Sequence, residues 1–175
     1  MKKIICIFAF LCIQYIGYSQ FNVGANGILH FPISDFKQES NLILGGAVSV
    51  GYTFNQRLDL SLVYSLYNYS SSLDFGLNSK TVEAKFFFFN GDTRPYIGCG
   101  VGSFRKSMTL SLLPKYIENA WGYEPKVGIL LDSKTFKNLF IDASASFLYA
   151  KTKFNAPKAL NLAVGLKYMI GFKKY

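Results

Sequence analysis

Between positions 159 and 172 the chain alternates with period two. Leu160, Leu162, Val164, Leu166, Tyr168, Ile170 and Phe172 take the even positions. Ala159, Asn161, Ala163, Gly165, Lys167, Met169 and Gly171 take the odd ones. Successive side chains of a strand point to opposite faces. One face of this segment is therefore large and apolar throughout. The other is small or polar and carries Lys167. The same alternation recurs upstream and predicts an all-β chain of eight strands.

The first strand is expected over 21–31, with Phe21, Val23, Ala25, Gly27, Leu29 and Phe31 on one face and Asn22, Gly24, Asn26, Ile28 and His30 on the other. The second covers 41–54, with Leu42, Leu44, Val48, Val50, Tyr52 and Phe54 opposite Gly45, Ala47, Ser49, Gly51 and Thr53. The third covers 58–69 and puts Leu58, Leu60, Leu62, Tyr64 and Leu66 against Asp59, Ser61 and Ser65. The fourth, 80–90, sets Val82, Ala84, Phe86 and Phe88 against Glu83 and Lys85. The fifth starts at Pro95, where a missing N–H is tolerable, and alternates Ile97, Cys99 and Val101 with glycines. The sixth, 120–131, sets Trp121, Tyr123, Val127, Ile129 and Leu131 against Glu124 and Lys126, and Pro125 predicts a local break in pairing. The seventh, 139–150, sets Leu139, Ile141, Phe147 and Tyr149 against Asp142, Ser144 and Ser146. The last is the segment described above.

The connections alternate in length. Residues 32–40, 70–79, 105–119 and 151–158 are longer and mostly polar, whereas 55–57, 91–94 and 132–138 are short. Short turns at one rim and long loops at the other are the layout of an up-and-down barrel in a membrane. Aromatic residues gather near strand ends, at Phe21, Phe31, Tyr52, Phe54, Trp121, Tyr149, Tyr168 and Phe172, as interfacial girdles do.

A soluble barrel with an apolar interior would show the same alternation with its faces inverted. Charge placement decides against it. Glu83, Lys85, Glu124, Lys126, Asp142 and Lys167 share the polar face in mid-strand, and the apolar face carries no charge in its central spans. A water-facing surface would be denser in Lys and Glu. The apolar face is therefore expected to meet lipid, and the polar face to fill the barrel.

The N-terminus predicts export. Lys2 and Lys3 precede an apolar run of about ten residues from Ile4, too short to span a bilayer. Gly17 and Ser19 supply small residues ahead of a cut before Gln20, so 1–19 reads as a cleaved signal peptide and 20–175 as one barrel domain. Phe10 and Leu11 ahead of Cys12 argue against lipid attachment there. Cys6 and Cys12 leave with the signal, and Cys99 alone makes no disulfide framework. After the signal no run of apolar residues is long enough for a transmembrane helix. The net charge of +9 falls to +7 without Lys2 and Lys3. The cations are scattered, which fits attraction to anionic lipid headgroups and not nucleic acid.

The whole chain after the signal resembles the small outer-membrane β-barrel family of the OmpA/OmpX type. Arg94-Pro95-Tyr96-Ile97-Gly98-Cys99-Gly100-Val101-Gly102 resembles that family's fifth-strand pattern. Tyr168, Ile170 and Phe172 resemble its C-terminal assembly signal, although Lys173, Lys174 and Tyr175 overhang the final aromatic. The resemblance implies an eight-stranded antiparallel transmembrane barrel in a Gram-negative outer membrane, with both termini periplasmic. It implies lipids, lipopolysaccharide and the barrel-assembly machinery as partners, and a monomer. Since the chain ends with its eighth strand, no cell-wall-binding domain is expected after it.

Chemistry is sparse. The interior charges Glu83, Lys85, Glu124, Lys126, Asp142 and Lys167 must pair, since buried ions cost several kcal/mol each in desolvation. Lys126, Asp142 and Lys167 are expected at similar heights on neighbouring strands. A salt-bridged plug is the reading taken; a gated polar path for small solutes is the alternative. Lipid-modifying catalysis would need a nucleophile and a base in reach. The chain has one His, His30, expected inside near the rim, and no GxSxG element. No metal cluster and no cofactor motif is present. Gly45-Gly46 and Gly98-x-Gly100-x-Gly102 resemble a phosphate loop only in letters, because they sit on strands and no GK[ST] follows. Residues 105–119 are apolar for a loop, with Met108, Leu110, Leu112, Leu113, Tyr116 and Ile117. They are expected to extend the strands on either side, and otherwise to offer an edge to a surface partner. The functional expectation is a barrel that anchors surface loops, with a narrow pore as the alternative and a lipid-modifying enzyme behind both.

Overall fold

A computed structural model describes residues 20–33, 42–69, 74–109, 116–151 and 158–170. The signal segment, Phe172 and the tail beyond it, and the middles of the four longer connections lie outside these. The described chain is all β: β1 (Gln20–Pro32), β2 (Ile43–Phe54), β3 (Leu58–Tyr69), β4 (Asp74–Phe87), β5 (Thr93–Thr109), β6 (Tyr116–Asp132), β7 (Leu139–Lys151) and β8 (Lys158–Ile170). Each strand pairs antiparallel with its sequence neighbours, and β1 pairs with β8, so the sheet closes as a barrel.

Closure carries a stagger. Cross-strand partners can be followed once round the barrel from Gln20 through Thr53, Asp59, Lys85, Gly98, Lys126, Ser146 and Asn161. The row returns to β1 at His30, ten residues above its start. Stagger and strand tilt are linked in any closed sheet. Every row of side chains inside this barrel is consequently a ramp and not a ring.

The outer face is the apolar one. Leu44, Leu62, Val164, Val48 and Val127 are 58–64% exposed. The interior differs from the uniformly polar one expected. Phe87, Tyr96, Leu130, Phe140 and Met169 pack as an apolar plug at the short-turn end. Ile28, Ile43, Tyr67, Leu77, Phe104 and Leu148, with four alanines, form a second plug at the long-loop end. The buried ions Asp59, Glu83, Lys85, Asp142 and Lys167 lie between them. On β4 and β5 the polarity inverts, with Lys80 and Arg105 exposed outside while Leu77 and Phe104 are buried inside.

That inversion also moves the strand ends. Residues 74–79, expected as loop, belong to β4 with Leu77 and Ser79 buried inside and Lys80 outside. Residues 105–109 and 116–119 extend β5 and β6, as expected of this stretch, with Met108 opposite Tyr116. On β4 the large apolar residues of the outer face end at Val82, so the expected alternation ends before the strand does. In the other direction β4 stops at Phe87, and Phe88 and Phe89 belong to the turn that follows. At Pro125 the β6–β7 ladder omits Glu124 and Pro125 while keeping its register on either side. A proline with no N–H to donate produces that gap.

Glycines inside admit large neighbours. A Cβ at Gly45 would lie 2.8 Å from the Tyr67 ring, and one at Gly128 would lie 2.5 Å from the Tyr96 hydroxyl. The two plug tyrosines therefore lie flat across glycines of the adjacent strand.

The β2–β3 turn is tight, with Arg57 N–H donating to Phe54 C=O at 3.0 Å. Asn55 (φ 46°) and Gln56 (φ 56°) are both left-handed, as a type I′ hairpin demands. Glutamine is a poor occupant of that conformation. Gln56→Gly is expected to stabilise the barrel by about 0.5–1 kcal/mol. A higher urea midpoint for refolded protein in detergent micelles checks this, and a lower midpoint would contradict the turn assignment.

Candidate functional site

The polar interior is built on the ramp that runs from Gln20 to His30. Parity puts these side chains inside, and the stagger puts them at successive heights. Three linked groups result.

The lowest centres on Asp59 of β3, which is fully buried. Its carboxylate accepts from Asn22 Nδ2 at 2.6 Å, Thr53 Oγ1 at 2.7 Å and Lys167 Nζ at 2.8 Å. Ser61 Oγ donates to its other oxygen. Lys167 on β8 reaches Asp59 across the lumen past β1 and β2. These donors replace the water that the carboxylate lost on burial.

The second group joins four strands. Lys85 Nζ donates to Asp142 at 2.9 Å. It also stands 3.1 Å from Glu83 Oε1, as an ion pair off the angle of a hydrogen bond. Lys126 Nζ donates to Glu83 Oε2 at 2.7 Å. Tyr96 Oη donates to Asp142 Oδ1 at 2.6 Å, and Lys85 sits 4.8 Å from the Tyr96 ring centre. Tyr96 thus belongs to the lower plug by its ring and to the ion network by its hydroxyl. Gly98 makes room beneath Lys85, since a Cβ there would meet Lys85 Cγ at 3.2 Å.

The third group lies under the upper plug. Glu124 accepts from Asn161 Nδ2 at 2.8 Å and from Ser146 Oγ. Holding the Asn161 NH2 on Glu124 turns its oxygen toward His30, whose Nδ1 is 2.6 Å away. Since that oxygen can only accept, the arrangement places the proton on Nδ1. The imidazole packs against Tyr67 at 4.8 Å between ring centres.

The six charges expected to form a network are all inside, but the partners differ from expectation. Lys126, Asp142 and Lys167 do not pair with one another. Lys126 takes Glu83, Asp142 takes Lys85, and Lys167 takes Asp59. Asp59 was legible as inward-facing and not as the deepest acceptor. The reason is the stagger: equal position along neighbouring strands is not equal height in the barrel. Tyr168 and Ile170 face outward and are exposed, and Phe172 lies outside the described residues. Cys99 is exposed on the outer face. Ser34 and Asp35, which follow His30 in sequence, lie outside the described residues. Among the described residues no three His, Cys, Asp or Glu side chains could share a metal ion.

Between the ion network and the upper plug a cavity of about 30 Å³ remains, bordered by Glu83, Lys126, Ser146 and Asn161. That is room for about two waters. The arrangement links all eight strands across the lumen.

Removing Asp59 strands a buried ammonium. Asp59→Ala is expected to cost about 3–5 kcal/mol, whereas Asp59→Ala with Lys167→Met recovers most of the loss. Asp142→Ala is expected to cost less, because Lys85 keeps Glu83. Guanidinium unfolding in lipid vesicles ranks the three, and equal midpoints for Asp59→Ala and the parent would show that the ion pair holds nothing.

No protein-family model matches the chain, and no curated protein matches it. Solved structures do. Neisserial surface protein A superposes with a TM-score of 0.73 at 22% identity, over 85% of this chain and 96% of that one. The N-terminal β-barrel domain of Pseudomonas aeruginosa OprF gives 0.56 at 18% identity, over 86% and 99%. Ail, the attachment invasion locus protein of Yersinia pestis, gives 0.56 at 17% identity, over 87% and 97%. The chain has the closed eight-stranded antiparallel fold of these small outer-membrane barrels.

Proposed function

We propose that the protein is an integral outer-membrane barrel of a Gram-negative envelope, a static anchor for surface-exposed loops. Residues 1–19 act as its export signal and 20–175 as its barrel domain. One observation carries the reading: a closed sheet with an exposed apolar outer belt surrounds an interior packed with apolar clusters at both ends. In water that belt would be an aggregation surface far larger than soluble monomers expose. In lipid it is the correct solvent match, and closure satisfies the backbone.

The termini and short turns belong to the periplasmic side, and the rising ends of β4 to β7 to the outside. The names of two similar structures, a surface protein and an attachment invasion locus protein, are consistent with interaction through that outer end. The paired ends of β5 and β6 reach Thr109 and Tyr116. A surface partner would meet the chain through the stretch 105–119. Lipids and lipopolysaccharide surround the barrel, the assembly machinery reads its last strand through Tyr168, Ile170 and Phe172, and the barrel works as a monomer. Catalysis has no support beyond a buried His30. Solute passage would require two plugs and the ion network to move together.

Cell fractionation with a gel run before and after boiling tests the proposal. The protein is expected in the outer-membrane fraction, with a heat-dependent shift in mobility. Planar bilayers loaded with it are expected to show no stable conductance, and Asp142→Ala is expected to leave that unchanged. Protein recovered in the soluble periplasm without a shift would overturn the membrane reading, and steady unitary currents would overturn the sealed interior.

A further inference from the structure

A cut behind Ser19 leaves Gln20 as the first residue of the exported chain. Gln20 is also the first residue of β1 and stands opposite Thr53. It shares the inward parity of Asn22 and is 6% exposed. Its amide oxygen is buried and accepts no hydrogen bond. Asn22 and Thr53 beside it are fully buried, and both donate to Asp59. Lys167 Nζ already holds that carboxylate at 2.8 Å. A free α-ammonium on Gln20 would bring a second cation to this end of the lumen. A charge left there without its own partner is costly.

We propose that Gln20 is a modification site: once the signal is removed it cyclises, and the barrel begins with a neutral 5-oxoproline (pyroglutamate) ring. The proposal rests on the export-signal reading given above. The α-nitrogen of Gln20 attacks its own Cδ. A new N–Cδ bond forms, the Cδ–Nε2 bond breaks, and Nε2 takes a proton from the attacking nitrogen and leaves as ammonia. No oxidant, reductant or second substrate enters. An α-amine titrates at about pH 8, so part of it is neutral and nucleophilic at physiological pH. Both reacting atoms belong to one residue and close a five-membered ring, which removes the entropy cost of encounter. The ring forms while the chain end is still free, because the closed barrel carries the side chain into the lumen. The product suits its place. It has lost the ammonium and the side-chain NH2. It keeps one N–H, and its ring restricts the backbone as a proline does, which the first position of a strand tolerates.

The test is the intact mass and the N-terminal sequence of protein extracted from the envelope of the cells that make it. The expected mass is that of residues 20–175 less one ammonia. Edman degradation is expected to stall at once. After pyroglutamyl peptidase has acted on the unfolded chain, it is expected to read Phe21, Asn22 and Val23. Gln20→Asn keeps a side-chain amide, but the same attack would close a strained four-membered ring. That variant is expected at the full mass of its 20–175 chain, with an open N-terminus. It also retains Asn26-Gly27, another place where an ammonia can be lost, and so separates the two sources. A parent chain that starts at Gln20 with its full mass overturns the ring and leaves the export signal standing. A Gln20→Asn chain that is equally light overturns the ring too, since the loss then lies elsewhere. A parent chain that starts at any other residue overturns the signal reading and the modification together.

Discussion

A strand in hydrocarbon must find a partner for every backbone N–H and C=O, because no water is there to serve. For this chain the decisive contact is therefore the β1–β8 ladder, from Phe21 opposite Ile170 to Pro32 opposite Ala159. Without it both strands would be open edges in lipid. With it the sheet closes, and closure at a ten-residue stagger sets the geometry of everything inside. The ramp from Gln20 to His30 follows from that single constraint.

The interior answers two requirements with different materials. A lumen this narrow must be filled by side chains. The two ends are filled with apolar groups, where Phe140, Phe104 and their neighbours exclude water. The middle is filled with ions that have exchanged hydration for one another. Asp59, Glu83 and Asp142 each take a lysine from a non-adjacent strand, so the pairs brace the barrel across its width as well as neutralise it. Such pairs cost desolvation and return specificity only where the geometry is complete. Here hydroxyl and amide donors complete it, notably Thr53, Ser61 and Tyr96. Glycines opposite the bulky groups supply the room.

The outside follows the solvent it meets. Branched and aromatic residues cover the hydrocarbon zone, and cations appear where β4 to β7 leave it. The asymmetry around the rim, with Lys80, Arg105 and Lys151 on one half and leucines on the other, has no bearing on barrel closure.

Much of this was legible in the order of residues. Alternation is a local property, so strand number, the inward parity of Glu83, Lys85, Glu124, Lys126, Asp142 and Lys167, and the pairing gap at Pro125 could all be read from neighbours in sequence. The strand end at Asp74 could not, because the outer face of β4 turns polar above Val82 and the expected pattern stops early. Nor could the apolar plugs, whose members come from as many as eight strands and show no pattern within any one. The ion partners needed the stagger most of all. Register and shear belong to the closed sheet as a whole, and only closure decides that Lys167 meets Asp59 and not Asp142.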